Sequence, residues 1–128
     1  MKVYLASNYS SHPEMRQVRE LLQLKGFLVT SRWINGEHEV LEGQSHNLNS
    51  SFAKDDWDDL EQADIVIWFS RDKTNRGRGG RHVEFGLALA WKKPLYVVGH
   101  KENVFHWLPQ VKHYNTLESL INEIRNEK

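Results

Sequence analysis

The stretch that decides the fold runs from Ile65 to Val98. It opens on Ile65-Val66-Ile67-Trp68-Phe69 and continues through Gly77-Arg78-Gly79-Gly80-Arg81-His82-Val83-Glu84-Phe85-Gly86-Leu87-Ala88-Leu89-Ala90-Trp91. It closes on Pro94-Leu95-Tyr96-Val97-Val98. The outer runs are short, continuous and apolar, as strands buried on both faces are in a parallel sheet. Between them a cationic glycine loop leads into a helix. Such a strand-loop-helix-strand unit puts its loop at the carboxyl edge of the sheet, where open α/β folds hold ligands. Glu84 falls in the first turn of the expected helix. Free N–H groups and the helix dipole favour negative charge there, so Glu84 is expected to be ionised near pH 7. That suits a nucleophile or an electrostatic catalyst. The plainer role is to complement the helix dipole.

The alternation of strand and helix extends outward in both directions. Lys2 to Ala6 reads as a first strand, Ser7 to Pro13 as loop, and Glu14 to Lys25 as a helix that Gly26 stops. Phe27 to Trp33 reads as a second strand. Ile34 to Asn49 is polar and aperiodic, long enough to be either mobile or functional. Ser50 or Ser51 can cap a helix to about Gln62. At about 100° per residue, Phe52, Asp56, Leu60 and Ala63 share one stripe of that helix, with Asp59 at its edge. A carboxylate on an inward face is costly unless it is paired, hydrogen-bonded or facing a cavity, which singles out Asp56. After Val98 come an aromatic turn from Asn103 to Pro109, a strand over Val111 to Tyr114, and a helix capped by Thr116 and ending near Asn126. The pattern predicts a three-layer flavodoxin-like, Rossmann-like α/β domain spanning 1–128, with five parallel strands in the order 2-1-3-4-5.

Composition excludes several functions. Lys+Arg and Asp+Glu balance at 17 each, which argues against nucleic acid as a partner. Cysteine is absent, so thiolate chemistry and disulfides are excluded. No signal-peptide pattern and no apolar run of membrane-spanning length is found, so a cytoplasmic domain without membrane contact is expected. The glycines do not form a phosphate-binding Gly-x-x-x-x-Gly-Lys-Ser/Thr string, and their spacing and place after the third strand do not fit a dinucleotide fingerprint. Seven histidines are scattered without metal-ligand spacing, so no metal and no cofactor is expected. No serine sits in a Gly-x-Ser-x-Gly elbow. Two carboxylates, Asp56 and Glu84, remain near one sheet edge, and paired carboxylates are the equipment of glycosidic-bond chemistry.

Tyr4 in Lys-Val-Tyr-Leu-Ala-Ser, Asp56 before the Ala63-Asp64 pair, and Gly80-Arg81-His82-Val83-Glu84-Phe85-Gly86 together resemble the nucleoside 2-deoxyribosyltransferase family, which includes the 2'-deoxynucleoside 5'-monophosphate N-glycosidases. The likeness runs from Lys2 through the tail Asn103-Val104-Phe105-His106-Trp107-Leu108-Pro109. It implies cleavage or transfer at the N-glycosidic bond of a deoxynucleoside or its 5'-monophosphate. Glu84 would be the nucleophile, Asp56 the proton donor or sugar anchor, and Tyr4 the group that orients Glu84. Ser7, Asn8, Arg78, Gly79, Gly80 and Arg81 would bind substrate. Arg78 stands six residues before Glu84, where the transferases tend to carry an acid, and with Arg71, Lys73, Arg76 and Arg81 it makes the loop cationic. That suits a 5'-phosphate. The first loop lacks the arginine with which the hydrolases bind phosphate. The resemblance also implies a homodimer or larger homo-oligomer, and one or both of the exposed Trp57 and Trp107 are expected in its interface. The rival readings are a non-catalytic nucleotide-binding sensor and a phosphoribohydrolase, whose Pro-Gly-Gly-x-Gly-Thr string is missing.

Overall fold

The computed structural model describes residues 1–71 and 79–126. Its sheet has five parallel strands in the order β2-β1-β3-β4-β5. These are β1 (Lys2–Ala6), β2 (Leu28–Val29), β3 (Ile65–Phe69), β4 (Leu95–Val98) and β5 (Val111–Tyr114). The helices are α1 (His12–Leu24), α2 (His46–Gln62), α3 (Gly80–Ala90) and α4 (Leu117–Asn126). The expected order and strand direction are those observed. All five residues of β3 are buried, as an apolar run at the centre of a covered sheet must be. Residues Val3 to Ala6 beside it are fully buried as well.

Chain direction places the helices. β1 leads to β2 on one side, whereas β2 leads back past β1 to β3, and β3 onward to β4. Right-handed crossovers therefore put α1 on one face and both α2 and α3 on the other. Trp57 of α2 meets Trp91 at the end of α3 edge to face, with ring centroids 4.9 Å apart. Asp56 and Glu84 thus belong to neighbouring helices on the same face. The loops after β1 and β3 diverge, which opens a crevice at the carboxyl edge between these strands.

The structure corrects the second strand. Only Leu28 and Val29 pair as β2, where Phe27 to Trp33 was expected. Thr30 still donates its N–H to Val3 O (2.9 Å), but Leu5 then donates to the Ser31 hydroxyl (2.7 Å) instead of a backbone carbonyl. Asp59 takes the Arg32 N–H at 2.9 Å and its guanidinium Nε at 3.0 Å, pulling Arg32–Asn35 into a 3-10 turn. Trp33 is thereby turned inward and donates from Nε1 to Leu5 O (2.8 Å). An apolar run that reads as a strand is overridden by one buried carboxylate.

The start of α2 is also corrected. The helix begins at His46, capped by the Ser45 hydroxyl on Leu48 N–H (3.2 Å), not at Ser50 or Ser51. His46 to Leu48 are exposed, so this first turn buries nothing and leaves no apolar period to read.

Below α3, His106 is 1% exposed and packs edge-on against Trp68 at 4.5 Å. Its Nδ1 accepts the Glu102 N–H at 2.9 Å. Burial lowers its pKa from 6.5 to about 4, with Glu102 opposing the shift. The unfolded chain takes up this proton below about pH 6.5 and the folded chain only near 4, so the stability gained from the neutral ring is lost as pH falls through that window. The stability difference between wild type and His106→Gln should therefore narrow between pH 7 and 4 in denaturant titrations. A gap independent of pH would show that His106 does not titrate on unfolding.

Candidate active site

The crevice holds a cavity of about 590 Å³, the size of a small-molecule site. Its lining joins elements far apart in sequence. Ser7 to Ser10 come from the loop after β1, His38 to Val40 from the loop before α2, Asp56 and Trp57 from α2, Gly79 from the cap of α3, and Gly80, Arg81 and Glu84 from α3 itself.

Tyr4 is fully buried in β1, and its phenol donates a hydrogen bond to Glu84 Oε2. Glu84 is the fifth residue of α3 and so stands beyond the first turn in which the sequence places it. Its carboxyl meets Tyr4 rather than the free N–H groups at the helix start. Burial raises the Glu84 pKa well above the usual carboxylate range. The expectation of a carboxylate ionised by the helix dipole is therefore corrected: the dipole acts mainly on the first turn, while desolvation acts on the whole group and favours the neutral form.

Asp56 lines the same cavity and is partly exposed to it. Burial raises its pKa, and the neighbouring His38 works in the opposite direction. The acid most deeply buried on α2 is Asp59, at 5% exposure, not Asp56. Arg32 pairs with Asp59 at 2.9 Å, so its burial is structural and Asp56 is left facing the open space.

Ser7 and Asn8 are buried in a polar knot. Ser11 Oγ donates into it toward Ser7 Oγ (2.9 Å) and Asn8 O (2.7 Å), and Arg71 Nε donates to Ser7 Oγ (2.7 Å). Arg71 also pairs with Glu14 at 2.8 Å. Gly79 caps α3 with φ +92°, a left-handed conformation that glycine takes without strain, and Gly80 begins the helix. Arg81 lines the cavity, but its guanidinium is held by both oxygens of Glu102 (2.9 and 2.7 Å) and lies over the Trp68 ring at 4.6 Å. Its charge is thus already paired, unlike the free cation expected from the sequence. Arg78 lies outside the described residues, as do Gly77, Lys73 and Arg76 of the cationic loop.

Sequence reasoning missed His38, Glu102 and the Arg32–Asp59 pair. No spacing could have revealed them: His38 bonds Asp56 across 18 positions from an aperiodic loop, Arg32 meets Asp59 across 27, and Arg81 meets Glu102 across 21. Among the described residues no group of three His, Asp or Glu side chains is placed to hold a metal ion, and no helix is long and apolar enough to cross a membrane.

No protein-family model matches the chain, and comparison with curated proteins gives no match either. Solved structures do share the fold. The 2-deoxyribosyltransferase of the psychrotolerant bacterium Bacillus psychrosaccharolyticus superposes with a TM-score of 0.76 at 19% identity, over 95% of this chain and 91% of that one. The CMP N-glycosidase of Clostridium botulinum superposes with a TM-score of 0.62 at 20% identity, over 98% and 99%. The sheet order and the full-length correspondence establish a common architecture.

A buried carboxyl with a raised pKa opposes folding when it ionises. Between its unfolded value, near 4.5, and its raised folded value, the native state holds the proton more tightly, so stability falls as pH rises through that window. Glu84→Gln keeps the shape and an acceptor for Tyr4 but cannot ionise. It should melt at a higher temperature than wild type at pH 8, and the advantage should disappear below pH 4.5. A variant less stable than wild type at pH 8 would contradict the desolvation argument.

Proposed function

We propose that this chain is an enzyme of the nucleoside 2-deoxyribosyltransferase family, cleaving or transferring at the N-glycosidic bond of a 2'-deoxynucleoside or its 5'-monophosphate. The observation that carries this reading is the Tyr4–Glu84 hydrogen bond at a cavity that Asp56 also lines. The two structural neighbours, named as a 2-deoxyribosyltransferase and a CMP N-glycosidase, support the same chemistry.

In this mechanism the Glu84 carboxylate attacks the anomeric carbon and forms a deoxyribosyl ester as the base departs. Water then yields the free sugar, or a second base yields a new nucleoside, with net retention in either case. Attack needs the ionised form. Desolvation makes that form scarce in the free enzyme but also more reactive, and the positive charge developing on the sugar stabilises it. The Tyr4 hydroxyl donates a hydrogen bond to the carboxylate, orienting the attacking oxygen and offsetting part of the desolvation. Asp56, with its raised pKa, supplies a proton to the departing base.

A 5'-phosphate would find hydrogen-bond donors at the α3 N-terminus, where first-turn N–H groups lack intrahelical acceptors, and in the serines after β1. Arg71 and Arg81 already pair with Glu14 and Glu102, and Arg78 of the cationic loop is the arginine proposed for that role. Chromatography of deoxynucleosides and their 5'-monophosphates, incubated with and without an acceptor base, tests the whole reading. Free base or exchanged nucleoside should appear, faster from the monophosphate, and Arg78→Ala should remove that preference. Glu84→Ala should lower turnover by at least about three orders of magnitude. No product from any substrate would leave the nucleotide-sensor reading in its place.

We further propose a homodimer. Trp57 is 49% exposed at the cavity rim and Trp107 61% exposed beside Phe105 at 59%. Exposed aromatic clusters of this kind mark interfaces. Light scattering should give at least twice the chain mass, and Trp107→Glu should shift it toward the monomer. A wild-type monomer at assay concentration would refute the assembly.

A further inference from the structure

The loop before α2 brings His38 to the cavity wall with a carboxylate at each ring nitrogen. Nδ1 lies 3.0 Å from Asp56 Oδ1 and Nε2 lies 3.3 Å from Asp55 Oδ2. The ring stacks on Phe52, with centroids 4.8 Å apart and planes inclined by 27°, and the side chain is 8% exposed. Arg32 also reaches Asp55 at 3.3 Å, so the outer carboxylate has a fixed partner of its own.

The Nδ1–Asp56 contact is a hydrogen bond and needs one proton between its atoms, whereas Nε2 and Asp55 are in ion-pair contact only. Two states satisfy the hydrogen bond. In one, an imidazolium lies between two carboxylates. In the other, a neutral ring carries its proton on Nε2, on the Asp55 side, and the Asp56 carboxyl points its proton at Nδ1. They differ by the movement of one proton along one hydrogen bond, with no change of partner.

Resting on the glycosidic-bond reading above, we propose that His38 is the positioning residue of Asp56 and that the two together hold the proton taken up by the departing nucleobase. When the C–N bond breaks, its electron pair goes to the base and the shared proton passes to the base through the Asp56 carboxyl. The pair is left as a neutral ring protonated on Nε2 and an Asp56 carboxylate. In the second half-reaction the attacking water, or the N–H of an acceptor base, loses a proton to the pair and restores it. Each cycle therefore closes without an outside acid. The raised pKa of Asp56 agrees with a proton held there.

The alternative is that His38 only ties its loop to α2, and leaving-group dependence separates the two. The substrates are 2'-deoxyguanosine 5'-monophosphate and its 7-methyl derivative, whose cationic base departs without needing a proton. For His38→Asn, kcat/KM, which reports the base-release half-reaction alone, should fall about a hundredfold on the unmethylated substrate, the scale of lost general-acid assistance, while kcat/KM on the methylated one stays close to wild type. Equal losses on both substrates would overturn the proposal. A wild type inert on both would defeat the activity reading itself, and the pairing is then judged by 15N NMR of the histidine rings. The His38 Nδ1 resonance should move in Asp56→Ala while Nε2 changes little. An Nδ1 resonance indifferent to Asp56 would overturn the pairing.

Discussion

The parallel pairing of β1 with β3 is the constraint on which the rest of the molecule depends. It sets Tyr4 beside Val66 and Leu5 beside Ile67, four apolar positions in two adjacent strands, all without exposed surface. Burying such side chains stabilises the fold by roughly 1.5–3 kcal/mol each, so this register is strongly held. The chain leaves β1 toward one edge and β3 toward the other, so the loops above them must separate. The cavity is the space between those loops. Tyr4 is anchored in the sheet below it and extends its hydroxyl to Glu84 on α3. The most rigid element thus orients the carboxyl that lines the site.

Burial assigns the acids of this face to different tasks. Asp59 is the most enclosed of the α2 acids and is matched by Arg32, which fixes the turn carrying Trp33. Glu102 is matched by Arg81 and also takes the Arg71 N–H at 2.7 Å, so it ties the end of β3 to the start of α3. These partners hold its carboxyl below the usual range although burial pushes the other way. Among the described residues Glu84 has a phenol but no cation, and Asp56 has a histidine. Both carry raised pKa values and both line the cavity. The acids outside the cavity, Asp59 and Glu102, are paired with arginine, whereas the two that line it carry raised pKa values, a pattern that candidate acid–base sites share.

Much of the fold was legible in order because apolar runs and helix stops are local signals. Ile65–Phe69, Leu95–Val98 and Val111–Tyr114 stand where their residues predict, and Thr116 caps α4 through the Ser119 N–H (3.2 Å). The two misread boundaries share one cause. At Arg32 a distant carboxylate captured the backbone, and at His46 a solvent-exposed turn gave no period. Neither is visible in a window of neighbouring residues.

By itself the sequence determined the parallel sheet, its strand order, and the candidacy of Asp56 and Glu84, because runs, stripes and motif spacing are properties of neighbours along the chain, while Tyr4 entered only through the family resemblance. Only the tertiary structure decided what state each group is in. Glu84 loses the helix-start environment expected for it because α3 begins at Gly80 and turns the carboxyl toward β1. Arg81 gives its charge to Glu102, and Asp56 gains His38 from a loop without any pattern. Protonation and pairing depend on desolvation and on partners tens of residues away, and these exist only once the chain has folded.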